Sequence, residues 1–310
     1  MNNGKKAPLN RTITLTEDEI RNYSAKAIKI NSAIKYEEII NKTAIGDFFE
    51  IAKFLPHEFV DLLVLDPPYN LTKNFAGFKF TRKNIDDYST YLEKIIVAVL
   101  PLLKKTASVY VCGDWRTSIS IPLVLGKYLK VRNRITWERE KGRGAKRNWK
   151  NNTEDIWFAT VSDDYYFNSE AVKLKKRVIA PYRDAKGKPK DWKEENGEQF
   201  RMTHASNIWT DISVPFWSMP ENTDHPTQKP EKLITKLILA SSKKDDFVFD
   251  PFLGSGTTSV VAKKLGRKYF GTELSEKYVA FAEYRLQRAE TEKSIQGYSD
   301  GVFYERNYKP

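Results

Sequence analysis

The chain has 310 residues, 40% hydrophobic and 13% aromatic, which is enough to bury a sizeable core and excludes general disorder. Lysine and arginine number 52 against 40 acidic residues, a formal net charge of +12 that points to a polyanionic partner, nucleic acid first. The single cysteine, Cys112, excludes an intramolecular disulfide and a Cys-rich metal site; no apolar run is long enough to span a membrane, and the polar start is no signal peptide, so a cytoplasmic, nucleoid-associated protein is expected.

In chain order, residues 1–43 read as a polar arm with a helix-like stretch over 17–40. Residues 59–66 are a mostly apolar run stopped by Pro67 and Pro68, the pattern of a strand buried on both faces. Helical apolar spacing over 88–105 (Tyr91, Leu92, Ile95, Ile96, Val99) predicts a helix. Short strands are expected at 108–112, 131–137 and 155–160. Residues 161–221 lose regular apolar spacing, and 173–193 carries nine Lys or Arg against two Asp, with Tyr182 and Trp192 interleaved. An irregular insertion on an α/β body is expected there. Regular structure resumes at Pro230 with a helix, then a strand at 247–250, a helix at 257–265, a strand at 268–274 and a helix at 275–288. Strands alternating with helices predict a doubly wound, mostly parallel α/β sheet.

Three motifs carry chemistry. Asp66-Pro67-Pro68-Tyr69-Asn70 follows a buried strand, where ligands sit in open α/β sheets. A carboxylate and an adjacent proline carbonyl both accept hydrogen bonds, and neither proline supplies a competing N–H. An exocyclic amino group offers two N–H donors to such a pair, and Tyr69 can stack on a flat base. Asp250-Pro-Phe252-Leu-Gly254-Ser255-Gly256-Thr257-Thr258 lies between a strand and a helix, where glycines allow close backbone approach. Glu273 stands nineteen residues past Gly254, at the end of the next strand, a position from which an acid binds the ribose hydroxyls of an adenosine cofactor. His225-Pro-Thr227-Gln-Lys229-Pro230 is a rigid turn leading into a helix. No metal-ligand spacing is present, and Cys112 reads as a buried core thiol, which argues against cytosine-C5 chemistry.

Together, and in this order, these motifs resemble the β-class amino-methyltransferases, the DNA adenine-N6 and cytosine-N4 enzymes of restriction–modification systems. Ala44-Ile-Gly-Asp47, Ile135-Thr-Trp137, Asn151-Asn-Thr-Glu154, Ile208-Trp-Thr-Asp211 and Phe270-Gly-Thr-Glu273 extend the similarity over about residues 44–290. The resemblance implies one seven-stranded methyltransferase sheet entered in permuted order. It implies an S-adenosylmethionine site lined by Asp66, Asp250, Phe252, Gly254, Ser255, Gly256 and Thr257, with Glu273 on the ribose and Asp47 on the adenine amino group. Thr227 and Lys229 belong to the segment that closes its methionine end. The expected divisions are an N-terminal arm (1–43), a catalytic half (44–160), a target-recognition region (161–221), a cofactor-binding half of the same domain (222–292) and a tail (293–310).

The implied reaction is direct methyl transfer to the amine of a flipped base in DNA. Asp66 and the Pro67 carbonyl hold the amine hydrogens, and Pro68 and Tyr69 complete the catalytic motif. Asp rather than Ser at position 66 favours adenine N6. Cytosine N4 is the alternative within the family, RNA is a weaker substrate reading, and a non-catalytic DNA-binding or cofactor-sensing protein is the alternative outside the enzyme class. Lys175, Lys176 and Arg177 are the first candidates for the DNA backbone; Arg143, Lys146 and Arg147, around two glycines, are the second. A homodimer and a cognate restriction endonuclease are partners the resemblance leaves open.

Overall fold

The computed structural model describes residues 7–75, 77–139, 147–178, 182–195 and 197–306. Its strands begin with β1 (Lys42–Ile45), β2 (Val60–Leu65), the hairpin β3 (Lys73–Phe75) and β4 (Phe78–Phe80), β5 (Leu103–Gly113), β6 (Lys130–Glu138) and β7 (Thr153–Thr160). They continue with β8 (Leu174–Arg177), β9 (Lys193–Glu195), β10 (Glu198–Thr203), β11 (Ile208–Trp209), β12 (Phe247–Asp250), β13 (Lys268–Glu273), β14 (Tyr298–Ser299) and β15 (Val302–Tyr304). The helices are α1 (Glu17–Ser24), α2 (Tyr36–Ile39), α3 (Phe48–Ile51), α4 (Ile85–Val99), α5 (Thr117–Leu125), α6 (Glu231–Ser241), α7 (Thr257–Lys264) and α8 (Glu276–Arg288).

Among the described residues the main sheet runs β1-β13-β12-β2-β5-β7-β6-β11. It holds the seven strands expected, with two-residue β11 added at one edge. From β1 to β5 all neighbours are parallel, and β7 alone runs antiparallel to β5 and β6. The central strands are buried on both faces, and alternate side chains serve two cores. Leu63, Leu65, Val109, Val111, Phe247 and Phe249 pack in one; Leu62, Val64, Tyr110, Cys112 and Val248 pack in the other. That alternation is why these runs read as continuous apolar stretches. The one polar residue inside β2, Asp61, is neutralised by Lys104 at 2.7 Å and accepts the Phe247 N–H at 2.8 Å.

The helix expected over 88–105 ends at Val99, and Leu103 already opens β5. Two further regions depart from expectation. The helix-like stretch over 17–40 is two short helices. α1 opens with a capping box of Thr16 and Glu19, and it packs on α8 through Tyr23 and Tyr284, rings 5.3 Å apart. Between α1 and α2 the chain is extended, because Ile28 donates to Thr43 and accepts from Ile45, bridging the edge of β1. Residues 161–221, expected to be irregular, contribute β8, β9 and β10 to a second sheet in the order β14-β15-β8-β10-β9, closed by the tail. Its buried residues, Leu174, Phe200, Phe303 and Tyr304, are four over five strands. So sparse an apolar pattern is hidden in sequence among lysines. Leu174 and Phe303 seat the sheet on Ala240 of α6.

Candidate active site

β12 and β2 are adjacent, yet the chain leaves β12 towards β13 on one side and β2 towards β5 on the other. This is the point where the direction of winding reverses, the place where open α/β sheets bind ligands. Asp66 follows β2, Asp250 ends β12 and Glu273 ends β13, so residues remote in sequence meet at one edge. β7 runs the opposite way, which brings its start, with Glu154, to the same edge.

A cleft of about 1090 Å³ opens there. Asp47, Asp66, Pro67, Pro68, Tyr69, Thr227, Phe252, Gly254 and Glu273 all line it. Asp250, Ser255, Gly256, Thr257 and Lys229 lie behind this surface as its support. Asp250 accepts the Phe252 N–H at 3.0 Å and the Thr258 hydroxyl at 2.6 Å. Burial pushes its carboxyl up to about 7. Gly254 has φ +55, and a Cβ there would meet His225 Nε2 at 3.0 Å. Gly256 caps α7 at φ +86, and a Cβ there would strike Ala282 at 2.7 Å. Glu273 accepts the N–H groups of Gly254 at 2.9 Å and Ser275 at 2.8 Å, and burial raises its carboxyl. Asp47 caps α3 by accepting the Phe49 N–H at 2.7 Å.

The hexapeptide turn is pinned from within. Gln228 donates to the Glu221 carbonyl at 2.7 Å and accepts the Thr223 hydroxyl at 2.7 Å. His225 stands edge-on against Tyr278, 4.4 Å between centroids. Burial and then Lys229 and Lys73 lower its imidazole to about 3, so it is neutral.

Lys229 reaches from this turn to the catalytic motif rather than to the Asp250 loop. Its Nζ lies 2.7 and 2.9 Å from the two Asp66 oxygens and 3.0 Å from the Tyr69 hydroxyl. Glu154 Oε2 is 3.3 Å away, and Arg139 holds the other Glu154 oxygen at 2.6 Å. The Tyr69 hydroxyl lies 2.9 Å from Asp66 and 3.1 Å from Glu154. Burial alone would lower the Lys229 ammonium, but Asp66 and Glu154 more than reverse it. Burial alone would raise Glu154, and Lys229 and Arg139 bring it below the usual range. Burial, Asp66 and Glu154 raise the Tyr69 phenol, which stays a neutral donor.

The described DNA-contact candidates lie elsewhere. Arg147 is exposed, and Arg143 and Lys146 fall outside the described residues. Lys175 is half-buried, with Nζ 3.6 Å from the centre of the Phe200 ring, so it is packed rather than presented. Lys176 is half-buried, and Arg177 is exposed. None of these described residues lines the cleft. Glu154 and Arg139 were not among the expected site residues. The available signal was phase: Glu154 alternates in step with buried Ile156 and Phe158, so an acid stands on an apolar face.

A profile of the DNA methylase family matches residues 60–284. The chain is 35% identical over 252 residues to the DNA adenine methyltransferase YhdJ of Escherichia coli (strain K12), covering 79% of this chain and 82% of that protein. It is 30% identical over 269 residues to the type II methyltransferase M.BglII of Bacillus subtilis, covering 82% and 71%. Among solved structures, the cytosine-N4-specific PvuII DNA methyltransferase matches with a TM-score of 0.60 at 18% identity, covering 84% of this chain and 88% of that one. The M1.HpyAVI–SAM complex matches with a TM-score of 0.54 at 24% identity, covering 79% and 98%. These last two likenesses are of fold.

Proposed function

The chain belongs to the DNA methylase family, and within it we propose that this protein methylates the exocyclic N6 of adenine at a specific DNA site, as the modification enzyme of a restriction–modification system. DNA is its substrate and S-adenosylmethionine its cofactor. The adenine assignment is carried by one observation: a carboxylate, Asp66, stands at the end of β2 in the wall of the cleft, beside Pro67.

The residues present fit the cofactor. A pocket for a drug-sized ligand is roughly 300–1,000 Å³, so a cleft of about 1090 Å³ has room for a nucleoside and a base. Glu273 accepts backbone N–H groups from Gly254, Ser275 and Leu274, which holds the carboxylate in place with acceptor capacity left for a ribose hydroxyl. Glycine at 254 keeps His225 and an approaching ligand free of a Cβ. When bound, the cofactor supplies a methyl group already activated by its sulfonium, so the protein's task is orientation.

The Pro68 carbonyl is taken by the Tyr88 hydroxyl at 2.9 Å. Pro67, next to Asp66 and with no donor on its carbonyl among the described residues, is the carbonyl we assign to the amine alongside Asp66. Two acceptors on the two amine hydrogens draw the nitrogen towards tetrahedral geometry and turn its lone pair towards the methyl carbon. Their hydrogen bonds strengthen as positive charge develops on nitrogen, so they stabilise the transition state more than the ground state. Tyr69, tied by its hydroxyl, presents a fixed ring for the extruded base, where stacking contributes roughly 1–3 kcal/mol.

The test is nucleoside mass spectrometry of DNA incubated with the protein and S-adenosylmethionine, followed by base-resolved mapping. N6-methyldeoxyadenosine at one sequence context is the expected product. N4-methyldeoxycytidine would overturn the assignment.

A further inference from the structure

Resting on the amine-orienting role of Asp66, we propose that Glu154 is a positioning residue that receives the Lys229 ammonium when the substrate amine docks on Asp66. Both Asp66 oxygens are engaged by Lys229, at 2.7 and 2.9 Å. An arriving amine needs an Asp66 oxygen as acceptor, and the positive charge it develops is repelled by an ammonium sharing that carboxylate. Lys229 cannot withdraw into water, because its side chain is 7% exposed and a buried, unpaired cation is costly.

A second carboxylate resolves the conflict. Glu154, 5% exposed, is already 3.3 Å from Lys229 Nζ, and a shift of about half an ångström brings that contact to ordinary charge-assisted length. Arg139 holds the far oxygen of Glu154 at 2.6 Å, so the acceptor stays in place while the ammonium moves. The Tyr69 hydroxyl bridges both carboxylates, 2.9 Å from Asp66 and 3.1 Å from Glu154, and can turn the same way. Asp66 and Glu154 balance Lys229 and Arg139 in either arrangement, with Lys73 on the cleft wall a further cation within electrostatic reach of both carboxylates. Asp66 can then exchange a resident cation for the substrate with no charge left unpaired.

A double-mutant cycle tests this. Methyl incorporation into DNA and cofactor affinity are measured for the wild type, E154Q, K229M and the double variant. E154Q should lower kcat by about 100-fold, the cost of misplacing a reacting group, with KM for DNA and Kd for S-adenosylmethionine nearly unchanged. In the K229M background the same change should alter kcat by less than about threefold, because Glu154 acts through Lys229. Equal losses in both backgrounds, or a loss carried by KM, would overturn the proposal. Should E154Q fail to fold, the wild-type complex with S-adenosylhomocysteine and its mapped DNA site decides: Lys229 Nζ nearer Glu154 supports the handover, and Nζ still on Asp66 refutes it. Total incorporation is read, so an enzyme that methylates cytosine would fail the base assignment and leave this cycle interpretable.

Discussion

The cleft and the second sheet are both rich in charge, and they treat it in opposite ways. At the cleft, Lys229 and Arg139 are matched to Asp66 and Glu154 within hydrogen-bonding distance, with Lys229 and Glu154 nearly out of water. Around β8 and β9, Lys186, Lys188 and Lys190 are exposed on a turn where Asp184 accepts backbone N–H groups. Buried charge must be paired, so it holds geometry. Exposed charge stays hydrated and contributes little to folding, which leaves it available to a polyanion. Lys175, packed on Phe200, sits on the first side of this divide although it belongs to the second region.

Breaking the cleft's pairing should have the largest effect. Asp66→Ala removes the amine's acceptor and leaves Lys229 to Glu154 alone; methyl transfer should fall by about 100- to 1,000-fold or more. DNA affinity, which comes mainly from phosphate contacts, should be mostly kept. Near-normal turnover with an intact DNA complex would refute the orienting role.

Packing around the glycines sharpens the contrast. Gly254→Val places a branched side chain at φ +55 and against His225, and strain on the order of 1–3 kcal/mol should weaken cofactor binding at least tenfold by calorimetry. A Cβ at Gly187, in the basic segment, meets nothing within 4 Å, so Gly187→Ala should cost only the left-handed backbone, about 1 kcal/mol in a denaturant melt. Equal tolerance at both positions would deny the cleft its tight construction.

A third effect separates the cleft's own carboxylates. Asp250, without a cationic partner among its hydrogen bonds, is held up at about 7 by burial. Between its ordinary value near 4 and about 7 the native state binds a proton that the unfolded chain releases, so stability falls as pH rises through that window. Glu221, raised to about 7 by burial and by Glu231, adds to the same slope. Asp250→Asn should flatten the fall of Tm between pH 4 and 7 without abolishing it. An unchanged slope would place the titration elsewhere.

The smallest change in stability belongs to the exposed cations. Neutralising Lys186, Lys188 and Lys190 together should leave Tm nearly unchanged and lower the slope of log affinity against log salt by roughly 0.9 for each phosphate that no longer meets a cation. Lys175→Ala, by contrast, should lower Tm. An unchanged salt slope would put the DNA on another face, with Arg147 the next residue to change.

Much of this molecule was legible along the chain because its signals are local. A strand buried on both faces must be apolar throughout, so β2 and β12 declared themselves, and the motifs at their carboxyl ends marked the site. Short-range turn chemistry likewise announced Gly254 and Gly256. The second sheet was not legible, since short strands with so few buried side chains leave no period to read. Its pairing of β8 with β15 comes from residues remote in sequence. The direction of β7 was equally out of reach, and that direction alone delivers Glu154 to the cleft. The sequence by itself determined which residues could do chemistry and on which strands they would ride. Only the tertiary structure decided that Lys229 leans on Asp66, with Glu154 and Arg139 behind it, because a buried charge takes its partner from whatever the fold brings within hydrogen-bonding reach.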